Sequence, residues 1–179
     1  MRFVRALLLA VVLFPAGLAT HEVMHLAVYS ALGVPAVLVV TSWKLGAAAV
    51  PIWGLHAAPA GTGATVPLRT LLLNNALGPT LAALPLLALL ASIHRRSRAA
   101  RAALLANALA LLFFAVVELA YPLLEEVAHV DADVLLLPEL NYGAVLLILV
   151  ATTALATSAG GMRRRRERAP SVGSPAEAS

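Results

Sequence analysis

Residues 4–32 read VRALLLAVVLFPAGLATHEVMHLAVYSAL, and this stretch decides the fold. Ala6 to Ala19 is almost wholly apolar, broken by Pro15 and Gly17. His21-Glu22-Val23-Met24-His25 follows, and apolar residues resume at once through Leu26, Ala27, Val28, Tyr29, Ala31 and Leu32. The run predicts one helix from about Val4 to Leu32, longer than the roughly 20 residues that a bilayer crossing needs. Pro15 is expected to kink it, which a membrane helix tolerates, and Gly33 and Pro35 end it. A secretory signal is the rival reading. Arg2 and Arg5, an apolar middle and Gly17-Leu18-Ala19 ahead of Thr20 form a passable cleavage pattern. The immediate return of apolar residues after His25 argues for a retained span.

The rest of the chain agrees with a membrane setting. Of 179 residues, 61% are hydrophobic and 12% charged, against roughly 45–50% and about 25% in soluble domains. The expectation is an all-α integral membrane protein of about four transmembrane helices, with a short extended, β-like insert after the first. The helices are placed at about 4–32, 71–93, 102–120 and 142–158. The insert covers 34–68: Val37 to Thr41 is β-branched and apolar, Pro51 breaks the next apolar run, and Pro59, Gly61, Gly63 and Pro67 make a loop. Residues 1–160 form one membrane-embedded unit. Residues 161–179 read as a disordered basic tail.

Charge sets an orientation. All basic residues except Lys44 and Arg69 fall at the N-terminus, in 94–101 or in the tail. Four spans put those three clusters on one side, and the positive-inside rule makes that side the cytoplasm. The net charge of +4 therefore points to a lipid bilayer as partner and not to nucleic acid; the run Arg163 to Arg166 suits anionic lipid. The abundance of Ala, and of Arg over Lys, suggests a GC-rich bacterial genome, hence a multi-pass protein of the inner or plasma membrane with cytoplasmic N- and C-termini. Nothing in the sequence fixes the oligomeric state.

His21 and His25 are spaced i, i+4, so on a helix both imidazoles reach one ion. With no cysteine, metal ligands must come from His, Asp and Glu, and imidazoles suit Zn²⁺. Glu22 stands beside the first ligand, placed to take a proton from a metal-bound water. The bland reading is a chance pentapeptide or a structural polar cluster. An apolar helix weakens it, because an ionised side chain at mid-bilayer costs about 2.5–3.5 kcal/mol. For a third ligand, Asp131 and Asp133 are preferred, being acidic and on the same side as 21–25. Glu118, a lone carboxylate within a span, is the rival, followed by Glu125 and Glu126. His56 and His129 read as solvated loop histidines, and His94 lies among arginines on the other side.

His21-Glu22-Val23-Met24-His25 at the end of a first membrane helix resembles the site-two protease family of intramembrane zinc metalloproteases, especially its short bacterial members. The order of parts is similar: the motif helix, a β-like insert at 36–53, a helix with Gly78-Pro79, then an aspartate at 131 or 133. Thr80 to Ala83 follow the Gly-Pro pair where the family often has Asn, and Asp131-Ala132-Asp133 stands in place of Asp-Gly. The resemblance implies His21, His25 and an Asp as zinc ligands and Glu22 as base. The expected activity is that of a zinc metalloendopeptidase acting on a membrane protein or membrane-adjacent peptide. The alternative, from another class, is a non-catalytic membrane protein with a structural or sensing metal site.

Overall fold

Helix α1 spans Arg2–Ala31 and stays one helix through Pro15. A two-stranded antiparallel hairpin follows, β1 at Ala36–Leu45 and β2 at Val50–Pro59. Then come α2 at Leu68–Ser92, α3 at Arg98–Pro122 and α4 at Pro138–Arg168. A π-helical turn, Leu123–Val127, and a short 3-10 turn, Asp133–Leu136, join α3 to α4. These elements come from a computed structural model, which describes residues 2–45, 50–61, 65–93 and 97–168.

Each of the four helices is long and apolar enough to cross a membrane. At about 1.5 Å per residue, a 25-residue helix is ~37 Å long, enough for a hydrocarbon core of ~30 Å. Large apolar side chains such as Val12, Val116, Leu147 and Leu155 lie on the outer surface, where lipid chains replace a protein partner. The interior is built from small residues. Ala10, Ala103, Ala106 and Ala110 are fully buried, with Val145 and Leu149 from α4 closing the cluster. Small side chains let membrane helices approach closely, and dispersion then holds them. Polar glue runs through the same contact: Asn107 Nδ2 on α3 donates to Ala10 O at 3.0 Å and to Ala103 O at 2.9 Å.

The hairpin register runs without a bulge from Ala36 opposite Pro59 to Leu45 opposite Val50. Ala60 N donates to Pro35 O across its base. By alternation, the N–H groups of Ala58 and His56 face β1, while those of Ala57 and Leu55 point outward. Pro51 and Pro59, which have no N–H, share the outward parity, as prolines in strands must. The hairpin packs on α1.

The expected architecture is present: four helices with the extended insert in second place. The helix bounds shift: α2 starts three residues early and α3 and α4 four residues early. Helix α4 begins at Pro138 and continues to Arg168, so the backbone of the arginine run is helical instead of starting a tail at 161; residues 169–179 lie outside the described residues, as does His94. Arg101, counted with the topology arginines, has a local task. Its Nη1 donates to Leu90 O and Ile93 O, each at 3.0 Å, which satisfies carbonyls left open at the end of α2.

Candidate metal centre

The motif lies six residues from the end of α1, where the i, i+4 spacing puts both rings inside the bundle. His21 is 2% exposed and His25 6%. Their Nε2 atoms stand 2.7 Å apart. Helix α3 brings the third group. Its residues Asn107, Leu111, Phe114 and Glu118 follow at spacings of four, three and four, so they line one face. Asn107 and Leu111 bury that face, and the Phe114 ring stacks on His21 with centroids 5.6 Å apart. One turn later Glu118 meets both imidazoles: Oε1 is 3.1 Å from His21 Nε2 and Oε2 is 3.0 Å from His25 Nε2.

Helix α2 supports the group from a third side through Asn74, Gly78 and Ala82, again spaced by four. Asn74 is 2% exposed, and its Nδ2 lies 2.9 Å from His25 Nδ1. The close approach depends on Gly78: a Cβ there would fall 2.5 Å from His25 Nδ1 and 2.6 Å from Cε1. Asn75 Nδ2 donates to the backbone carbonyl of Glu118 at 2.7 Å. That carbonyl is free because its helical partner would be residue 122, a proline without an N–H.

The hairpin covers the group. Ala57 N, on the outward edge of β2, donates to Glu22 Oε2 at 2.8 Å. Glu22 Oε1 lies 3.7 Å from His21 Nδ1, a buried atom with no hydrogen-bond partner. Beneath β2 is a cavity of about 160 Å³ lined by Glu22, His25, Tyr29, His56, Ala57, Asn74, Asn75 and Glu118.

His21, His25 and Glu118 form a buried group that could hold a metal ion. The donor chemistry fits one. Two imidazole nitrogens and a carboxylate converge where either a shared proton or a cation must sit between lone pairs. Imidazole with carboxylate suits Zn and neighbouring first-row ions, whereas Mg²⁺ and Ca²⁺ prefer all-oxygen shells. With bonds of about 2.0–2.1 Å, tetrahedral ligand atoms stand ~3.3 Å apart. The observed 2.7–3.1 Å separations would open by a few tenths of an ångström around an ion.

The preferred third ligands are not at this place. Asp131 and Asp133 form a separate, largely exposed group with Glu125. Their carboxylates have local work: Asp131 Oδ1 accepts from Asp133 N at 3.1 Å, and Glu125 Oε1 accepts from Ala132 N. These are loop-shaping bonds after the π turn. The carboxylate beside the imidazoles is that of Glu118, the rival of the sequence reading. Glu126 and His129 are exposed. His56 is not a solvated loop residue; it sits half-buried on β2 and lines the cavity. The sequence reading has Gly78 only as part of the Gly78-Pro79 pair and gives neither Gly78 nor Asn74 a contact in the site. Their signal was the spacing of four among polar and small residues in an apolar helix.

No protein-family model matches the chain, and no curated protein or solved structure matches it either. The site therefore stands on its own geometry.

Proposed function

We propose that the chain is a membrane-embedded zinc metallopeptidase that hydrolyses a peptide bond in a membrane-associated protein segment. One observation carries the reading: Glu22 opens onto the same cavity as His25 and Glu118, so a base and two of the three candidate ligands share one space with room for water. The resemblance of the motif helix, insert and Gly-Pro helix to site-two proteases supports it. Glu118 takes the ligand role that the resemblance gives to an aspartate.

His21, His25 and Glu118 would hold the ion. Zinc so bound supplies a water of pKa about 7 and polarises a carbonyl. Glu22 does the proton work. Its Oε2 is held by Ala57 N–H, which leaves Oε1 to take the proton from the attacking water and return it to the leaving amine. The hairpin can present an edge strand to an extended substrate, as in strand addition. The arginine clusters support cytoplasmic N- and C-termini, which places the centre toward the outer face of a plasma membrane.

The test uses full-length protein in detergent. Elemental analysis should find about one zinc per chain, and a membrane-inserting reporter peptide should be cleaved. Glu22→Gln should keep the metal and lower kcat by roughly 10²–10⁴-fold. Metal retained with cleavage undiminished would remove Glu22 from the mechanism. A non-catalytic metal site is favoured by one contact, the Ala57–Glu22 bond, which ties hairpin to helix as a purely structural link would. On that reading Glu22→Gln loosens the hairpin and no cleavage is seen with either protein.

A further inference from the structure

We infer that Asn74 stabilises the metal-binding tautomer of His25, turning its amide to present Oδ1 to Nδ1–H when an ion occupies the centre. The inference rests on the metal reading above and assigns a positioning residue to it. In the structure the amide is set the other way: Nδ2 faces His25 Nδ1 at 2.9 Å. That setting requires a lone pair on Nδ1 and hence a proton on Nε2. The proton has acceptors there, since Nε2 lies 3.0 Å from Glu118 Oε2 and 2.7 Å from His21 Nε2.

A metal changes the demand. Nε2 must then carry the lone pair, so the proton moves to Nδ1, and a buried Nδ1–H needs an acceptor. Asn74 is positioned to supply it. Its Oδ1 is buried without a hydrogen-bond partner, and a half-turn of the amide exchanges Oδ1 for Nδ2 at almost no change in shape. As set, Oδ1 has no bond that a half-turn of the amide would break. Tyr29, which also interacts with the Asn74 side chain, carries a hydroxyl that donates or accepts and so suits both settings. An amide serves both tautomers of His25, whereas a carboxylate serves only the metal-bound one. The backbone is built for the contact, because Gly78, one turn on, keeps the His25 ring clear.

The experiment measures zinc affinity of full-length protein in detergent by competition with a chromophoric chelator. Asn74→Ala should weaken binding by about 10–100-fold. Asn74→Asp, which keeps an acceptor and loses the donor, should stay within a few-fold of the wild type. Asn74→Ala binding as tightly as wild type, or Asn74→Asp binding as poorly as Asn74→Ala, overturns the inference. Ring ¹⁵N shifts of His25 in zinc-loaded wild type provide a readout that needs no variant. A protonated Nδ1 with exchange protection lost in Asn74→Ala supports the assignment, and an unprotonated Nδ1 overturns it. Wild-type protein that binds no zinc fails the metal reading itself, and the inference falls with it; zinc binding with an unaffected Asn74→Ala fails the inference alone.

Discussion

Asn75 holds the backbone carbonyl of Glu118, donating from Nδ2 at 2.7 Å, because Pro122 has no N–H with which to do so. The arrangement fixes the last turn of α3, the turn that carries the third member of the His-His-Glu group. A carbonyl left open in an apolar interior costs about 1–3 kcal/mol. Asn75→Leu should therefore destabilise the protein by that amount. In a Pro122→Ala background, where residue 122 regains its N–H, the same substitution should cost clearly less. A double-mutant cycle on detergent unfolding reads the coupling. Equal costs in the two backgrounds would mean that Pro122 is not why Asn75 is needed.

Gly78 makes the approach of α2 to the imidazoles possible. A methyl group there meets the His25 ring at 2.5–2.8 Å, and the ring is not a flexible side-chain end that can swing clear. Either His25 or α2 must move. Gly78→Ala should cost about 1–3 kcal/mol as overpacking. It should also lower zinc affinity at least tenfold, while Gly143→Ala, whose added Cβ meets nothing within 4 Å, lowers neither stability nor affinity. Chelator competition and thermal unfolding of the two variants settle the matter side by side.

Glu118 should be the carboxylate on which metal retention depends. Removing its charge leaves two neutral nitrogens 2.7 Å apart with no anion beside them. Glu118→Gln should lose most of the bound zinc on gel filtration. Asp131→Asn and Asp133→Asn, in the separate group with Glu125, should each retain it. Zinc lost from an aspartate variant but kept by Glu118→Gln would reverse the ligand assignment.

The four spans and the hairpin were legible because each depends on local pattern. Uninterrupted apolar length declares a helix in lipid, and β-branched residues between Pro and Gly declare an extended insert. The paired imidazoles were legible for the same reason, since i, i+4 spacing is a one-helix property. The third group was harder because it depends on which helix face meets which. Sidedness placed the 122–141 segment near the motif, and Glu118 stood out only as a lone carboxylate within a span. What separates them is the helix register of α3: Asn107, Leu111, Phe114 and Glu118 share a stripe, and the first two are buried. Asp131 and Asp133 follow a π turn whose geometry leaves no sequence signature, and they close their own loop. Pro122 closes α3. Its position four residues after Glu118 was the overlooked sign that a neighbour must supply a donor there, and Asn75 is that neighbour. The hairpin's contact with Glu22 was unreadable for another reason: which edge of a two-stranded ribbon faces the bundle is set by packing, not by alternation.

That contact yields the last prediction. Ala57 N–H points away from β1 and toward Glu22, so removing it spares the hairpin's own ladder. Ala57→Pro makes that removal, and β2 already carries Pro51 and Pro59 at the same parity. The hairpin should therefore survive, with a stability loss of about 1.5–3 kcal/mol for one hydrogen bond to a carboxylate. Zinc content should be unchanged, because the contacts that join His21, His25 and Glu118 do not involve Ala57. Freed from its anchor, Glu22 would no longer hold Oε1 in place, and kcat on the reporter peptide should fall while KM moves little. Ala58→Pro is the contrasting variant. Its N–H faces β1, so the same change there should unpair the hairpin and lose far more stability. If Ala57→Pro leaves kcat untouched at full zinc occupancy, the hairpin does not orient the base.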